Sequence, residues 1–136
     1  MKLILDTNII ISALIRDSAT RRLIISMNIP LYYPETGLRE IFSHKKLILQ
    51  KSGLNEKNFS IIMNRLFNYI DIIPDKRMKK YIGKARKIMK SIDPKDAIFL
   101  AAALSYEDAI IWSDDKDFEK QTFVKVIKTK EMLRHF

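Results

Sequence analysis

Apolar residues gather in five short, dense runs along the chain: KLILD (2–6), PLYYP (30–34), IDIIP (70–74), AIIW (109–112) and VKVIK (124–128). Runs of this length, several of them closed by Asp or Pro, read as buried strands. Between them the apolar positions recur at helical spacing. Residues 9–28 are helical in character, with a break near Asp17-Ser18. Thr36 is placed to cap a helix running to about Ser52, and Asn55 another running to about Tyr69. Met78, Tyr81, Ile82, Ala85, Ile88 and Met89 share one face of a further helix. Pro94 stands at a first helical position after Asp93 as N-cap, and that helix continues through AIFLAAALSYE. Residues 129–135 make a last one. Strands alternating with helices predict crossover connections, hence an α/β fold: a three-layer α/β/α sandwich around a central parallel sheet.

Length and composition sharpen this. The 136 residues amount to one domain by size, 1–136, with 47% apolar residues to build a core. There is no cysteine, which excludes disulfides, Cys-ligated zinc and thiol catalysis. The opening MKLILDTNIIISALI is interrupted by Asp6 and Asn8 and lacks a small-residue cleavage site, so it is not read as a signal peptide. No uninterrupted run approaches the ~18 apolar residues of a membrane span. A soluble, unexported, cytoplasmic protein with no membrane partner is expected. The net charge of +9 points to a polyanionic partner, nucleic acid before anionic membrane.

Against that basic background the acids fall at particular places. Parallel α/β sheets put functional groups beyond the carboxyl ends of their strands. Asp6 closes the first strand; Glu40 lies early in the helix after the second; Asp96 opens the helix before the fourth; Asp114, Asp115 and Asp117 follow the fourth directly. Each also has a purely structural reading. Asp93 serves as an N-cap, Asp96 complements a helix dipole, Glu40 pairs with His44 or Lys45, and Asp114 belongs to a turn. Asp6 resists such a reading, because an aspartate between apolar runs is partly buried and needs hydrogen bonds or a cation. If Asp6, Glu40, Asp96 and Asp115 meet, they cannot all ionise without neutralisation. An all-oxygen donor set favours Mg²⁺ or Mn²⁺ over zinc. A carboxylate-held divalent ion in a basic protein is the combination expected for phosphodiester hydrolysis, in which the metal activates water without a protein general base.

LILDTNIIISAL, Glu40 in PETGLREI, DPKDAIFLAAAL and IWSDDKDF, in that order and spacing over essentially the whole chain, resemble the PIN domain family. The resemblance implies a PIN-like fold and a Mg²⁺- or Mn²⁺-dependent endoribonuclease leaving a 5′-phosphate. It extends to the VapC-type toxins of toxin–antitoxin pairs, homodimers blocked by a small antitoxin. On this match Asp6, Glu40, Asp96 and Asp115 are the catalytic, metal-holding acids. Asp93, Asp114 and Asp117 are auxiliary, and Asn8 and Ser113 are supporting. Ser113 stands where the family usually has Thr, and Asp114 where Asn is frequent.

KRMKKYIGKARKIMK (76–90) holds eight basic residues and no acid. Its apolar stripe belongs to the core. The remaining face, with Lys79, Lys80, Lys84, Arg86, Lys87 and Lys90, is either merely solvated or contacts RNA phosphates. Arg16, Arg21 and Arg22 form the second candidate basic surface. Trp112 and Tyr106 are candidates for base stacking, and the apolar stretch 9–29 for a dimer interface. His44 and His135 lack triad partners. Two alternatives to a toxin ribonuclease stand: a PIN nuclease of RNA processing or decay, and a catalytically silent RNA-binding PIN module.

Overall fold

In a computed structural model of the protein, which describes residues 1–15 and 18–135, the first apolar run forms β1 (Lys2–Leu5) in the middle of a parallel sheet. Leu3, Ile4 and Leu5 are fully buried. A strand covered on both faces has no polar side, which is why this stretch is continuous rather than alternating. β2 (Leu31–Pro34) and β4 (Ala109–Trp112) flank it: Leu3 lies opposite Leu31 on one side and Ile110 on the other. β3 (Ile70–Ile73) pairs with β2, and the short β5 (Val126–Ile127) with β4. All pairings are parallel, in the order β3-β2-β1-β4-β5. The chain thus walks outward from β1 to β3, then returns to the other side of β1. The reversal between β1 and β4 opens a crevice beyond their carboxyl ends, the usual ligand position in such sheets.

Helices make the outer layers. α1 (Thr7–Leu14), α2 (Ala19–Ser26), α3 (Leu38–Ser43), α4 (Lys45–Ser52) and α5 (Glu56–Leu66) pack around α1 and α2, with α9 (Thr129–His135) against α2. α6 (Asp75–Met78), α7 (Ile82–Met89) and α8 (Ala97–Leu104) form the other group. α8 lies directly on β1, β2 and β4. It carries no polar side chain and is buried over most of its surface, as a helix between a sheet and a further helix must be. The expected three-layer sandwich is therefore the observed one.

Several boundaries differ from the periodicity. The helix expected over 36–52 is two helices. Its start is a 3₁₀ turn, Glu35–Gly37, with no side-chain cap from Thr36. It then breaks at His44, whose ring Nδ1 lies 2.7 Å from the Glu40 carbonyl. The basic helix divides likewise into α6 and α7. A 3₁₀ turn, Pro94–Asp96, precedes α8, capped by Asp93 as expected: Asp93 Oδ1 accepts from the Lys95 N–H at 3.1 Å. Asn55 caps α5 and Ser18 caps α2. The break near Asp17-Ser18 falls partly on Asp17, outside the described residues. Among the described residues, no helix is long and apolar enough to cross a membrane.

Candidate active site

Asp6 begins the site. The β1 ladder delivers it to the crevice, its own N–H bonded to the Trp112 carbonyl of β4 at 3.1 Å. It is 4% exposed. As N-cap of α1, its Oδ1 accepts from the Asn8 backbone N–H at 3.3 Å. Its Oδ2 accepts from the hydroxyl of fully buried Ser113 at 2.6 Å. Burial holds the Asp6 carboxyl above its usual range, against the pull of those two hydrogen bonds; the charges of Asp115 and Glu40 add to the rise. Ser113 also accepts from the Asp115 N–H at 3.0 Å. One hydroxyl thereby ties the end of β1 to the turn after β4.

That turn faces the start of α8. Carboxylate oxygens of Asp93, Asp96, Asp115 and Asp117 lie within 4.8 Å of one another. Asp115 is itself ordered by the Asp117 N–H on its Oδ1 at 2.9 Å. Asp96 Oδ2 is buried and has no hydrogen-bond partner. Burial first, and then the charges of Asp6, Asp93, Asp115 and Glu40, push the Asp96 carboxyl up to about 7. Among the described residues no lysine or arginine pairs with Asp6, Glu40, Asp93, Asp96 or Asp115; Lys120 reaches Asp117 at 3.0 Å. A buried carboxylate oxygen without a partner, among carboxylates with few cationic neighbours, is an arrangement that a bound cation would satisfy. The donor set, all carboxylate oxygen, fits a hard divalent ion.

A PIN domain profile matches residues 4–136. The chain belongs to the PIN domain family. This is a nuclease family, and the acid quartet lies where such chemistry would be housed. Among solved structures, a chain of VapBC2 from Rickettsia felis, crystallised bound to a DNA fragment from their promoter, superposes with a TM-score of 0.70 at 15% identity. The overlap covers 94% of this chain and 98% of that one. A chain of VapBC-1 from nontypeable Haemophilus influenzae gives 0.67 at 19% identity, with the same coverage. At such identities the likeness is one of fold. No curated protein sequence matches significantly.

The remaining expected residues of this PIN domain divide. Asp6 and Glu40 stand outside the quartet, near enough for their charges to act on Asp96. Glu40 pairs through neither His44 nor Lys45: His44 takes its backbone carbonyl, and Lys45 pairs with Glu56. Asp114 is turned to the far side of the strand end. Its Oδ1 accepts from the Thr129 N–H and its Oδ2 from the Thr129 hydroxyl, both at 2.7 Å. Of two adjacent aspartates, Asp115 joins the quartet and Asp114 anchors the start of α9. Asn8 supports Asp6 by its backbone N–H, its side chain being exposed. Trp112 is fully buried, its indole N–H on Thr129 Oγ1, so it offers no stacking surface.

Lys79, Lys80, Lys84, Arg86, Lys87 and Lys90 are all exposed. Arg21 is spent on the end of α1, donating to the carbonyls of Ala13 and Ile15. Arg22 is exposed, and Arg16 lies outside the described residues.

A group that periodicity did not single out ties the turn before α3, the helix that carries Glu40, to α1. The Tyr33 hydroxyl donates to the Gly37 carbonyl and accepts from Thr7 Oγ1, each at 2.7 Å. It joins the helix behind Asp6 to the turn that launches α3. The available signal was a tyrosine in an apolar strand, four residues before a glycine. A Cβ on Gly37 would stand 2.5 Å from Tyr33 Oη, so only glycine lets the ring pass.

Proposed function

We propose that this PIN domain is a metal-dependent endoribonuclease, the toxin component of a toxin–antitoxin pair. The observation that carries the reading is the buried, unpartnered Asp96 Oδ2 facing three other carboxylates. Asp96 and Asp115, together with Asp6 and Glu40, would hold one or two Mg²⁺ or Mn²⁺ ions. Asp93 and Asp117 would be auxiliary. The ion supplies Lewis acidity for the attack of water on phosphorus. Ser113 orients Asp6 and Asp115 together, so the two acids keep a fixed separation. The six exposed cations of the basic face would attract the RNA backbone.

The antitoxin and a homodimer are supported by the fold likeness to VapBC chains and by apolar side chains left uncovered. Phe42, Leu47 and Ile25 are 54%, 45% and 47% exposed.

The test is cleavage of a defined single-stranded RNA by purified protein with Mn²⁺, with Mg²⁺, and with EDTA. Cutting is expected with either ion, to stop with EDTA, and to fall on the order of 10²–10³-fold in Asp6→Asn, the usual cost of removing one electrostatic element from a centre. Full activity in EDTA, or in Asp6→Asn, would overturn the assignment. RNA binding without any cutting would point to the silent RNA-binding module instead.

A further inference from the structure

Three surface depressions run in series along α6 and α7. The first, about 340 Å³, is lined by Arg86, Lys87, Lys90 and Pro94, next to Asp93. Arg86 is shared with the second, also about 340 Å³, which reaches Lys76 and Lys79. Lys76 is shared with the third, about 590 Å³, which Arg77, Lys80, Tyr81 and Tyr106 help to close. Among the described residues lining the three, a single acid, Asp75, occurs.

The third depression is the most ordered. Arg77 donates to the Ser105 carbonyl at 2.8 Å, and its guanidinium lies 3.8 Å from the Tyr106 ring centroid. Tyr106 is backed in turn by Tyr32, with centroids 5.1 Å apart. An arginine held on a ring presents its remaining N–H donors at little entropic cost. Lys76 and Lys80, one helical turn apart, are exposed beside it and pair with no acid among the described residues. Fixed and mobile cations around one hollow form an anion-binding arrangement.

Its distance from the acids sets its use. Asp96 precedes α8 and Ser105 follows it, and the eight residues of α8 rise about 12 Å. We propose that the Lys76–Arg77–Lys80 pocket is an exosite for the RNA strand, gripping phosphates several nucleotides away from the bond cut at the acid centre. This rests on the nuclease reading above. At about 3.4 Å per stacked nucleotide, the strand needs roughly four nucleotides on one side of the cut to reach it. The series of depressions ends at Pro94, next to Asp93 of the acid cluster, and this favours RNA over a lipid surface, which would need no such path.

The experiment compares RNAs carrying two or about eight nucleotides on either side of the cleaved bond, in wild type, Arg77→Gln and Lys76→Glu. Affinity is also measured by anisotropy in an Asp6→Asn background, which reads the exosite whether or not the protein cuts. The wild type is expected to prefer the longer RNA through KM. Each variant should lose about tenfold of that preference, and the salt slope of binding should shrink by about 0.7 for Arg77→Gln. Lys76→Glu changes an exposed side chain and guards against misfolding of the Arg77 variant. An unchanged preference and slope in both variants would overturn the exosite while leaving the nuclease intact. Loss of binding to phosphatidylglycerol vesicles, with RNA affinity retained, would overturn it in favour of a membrane-facing surface. If wild type cuts no RNA, the nuclease reading falls, and the anisotropy series alone decides the exosite.

Discussion

Asp96 concentrates the energetics of the centre. Its folded-state carboxyl sits at about 7, against an ordinary 3.8, because burial and four neighbouring acids disfavour the charge. A group whose pKa is raised on folding contributes stability that is complete below about pH 4 and is lost as pH climbs through 7. Metal-free protein should therefore weaken steadily between pH 4 and pH 7 on this account. Asp96→Asn should reverse that: in EDTA near pH 8 it should be more stable by about 1–2 kcal/mol, a value reduced for the partial exposure of the group. The gain should vanish near pH 4. In excess Mg²⁺ or Mn²⁺ the order should invert, since an ion that binds only the folded wild type stabilises it by mass action, ~2.7 kcal/mol at a hundred times Kd. Thermal melts at several pH values, with and without metal, check both halves. Wild-type and variant melts that run parallel across pH would show that Asp96 is not strained.

At the scale of elements, the Tyr33–Gly37 contact fixes where α3 departs from the sheet. Gly37 has ordinary helical backbone angles, φ −69° and ψ −20°, so its need is steric rather than conformational. Gly37→Ala should force the buried Tyr33 ring aside and break its hydroxyl bridge to Thr7, costing about 1–3 kcal/mol as overpacking does. Tyr33→Phe, which removes only the hydroxyl, should cost about 1 kcal/mol. Urea titrations distinguish the two, and equal stability of Gly37→Ala and wild type would dismiss the constraint.

This level also shows what the sequence could carry. The strands were legible because a buried parallel strand is a solid apolar run. Asp6, Asp114 and Asp115 were legible because they follow their apolar runs within three residues, and Glu40 and Asp96 because they open helices next to strands. The break at His44 was not, since the apolar spacing on either side stays in phase while an imidazole competes for the Glu40 carbonyl. The division between Asp114 and Asp115 came only from the family resemblance; the hydrogen bonds that tie Asp114 to Thr129, fifteen residues later, were not legible. The close passage of Tyr33 over Gly37 is likewise a matter of three-dimensional packing.

For the whole molecule, the proposed homodimer needs a surface. The apolar stretch 9–29 supplies little, because Ile9, Ile10, Ala13, Leu14, Leu23 and Ile24 are consumed in the protein's own core. Ile25 remains uncovered, as do Phe42 and Leu47 of α3 and α4, among other exposed apolar side chains such as Phe123 and Leu133. Light scattering at micromolar concentration should give twice the chain mass of 16.0 kDa, and Phe42→Ser with Leu47→Ser should return it to the single value. A wild type that stays at the single mass removes the dimer. One bond described above reaches further than packing. The Asp6–Ser113 hydrogen bond joins residues 107 positions apart, and β4 is the partner that completes the central strand. During synthesis β1 is made long before β4, and Asp6 must wait 107 residues for Ser113, with Asp115 and Asp117 following, to reach it. A nascent chain that stops short of β4 cannot assemble the acid centre, so the chemistry proposed above becomes possible only once β4 and the turn after it have left the exit tunnel.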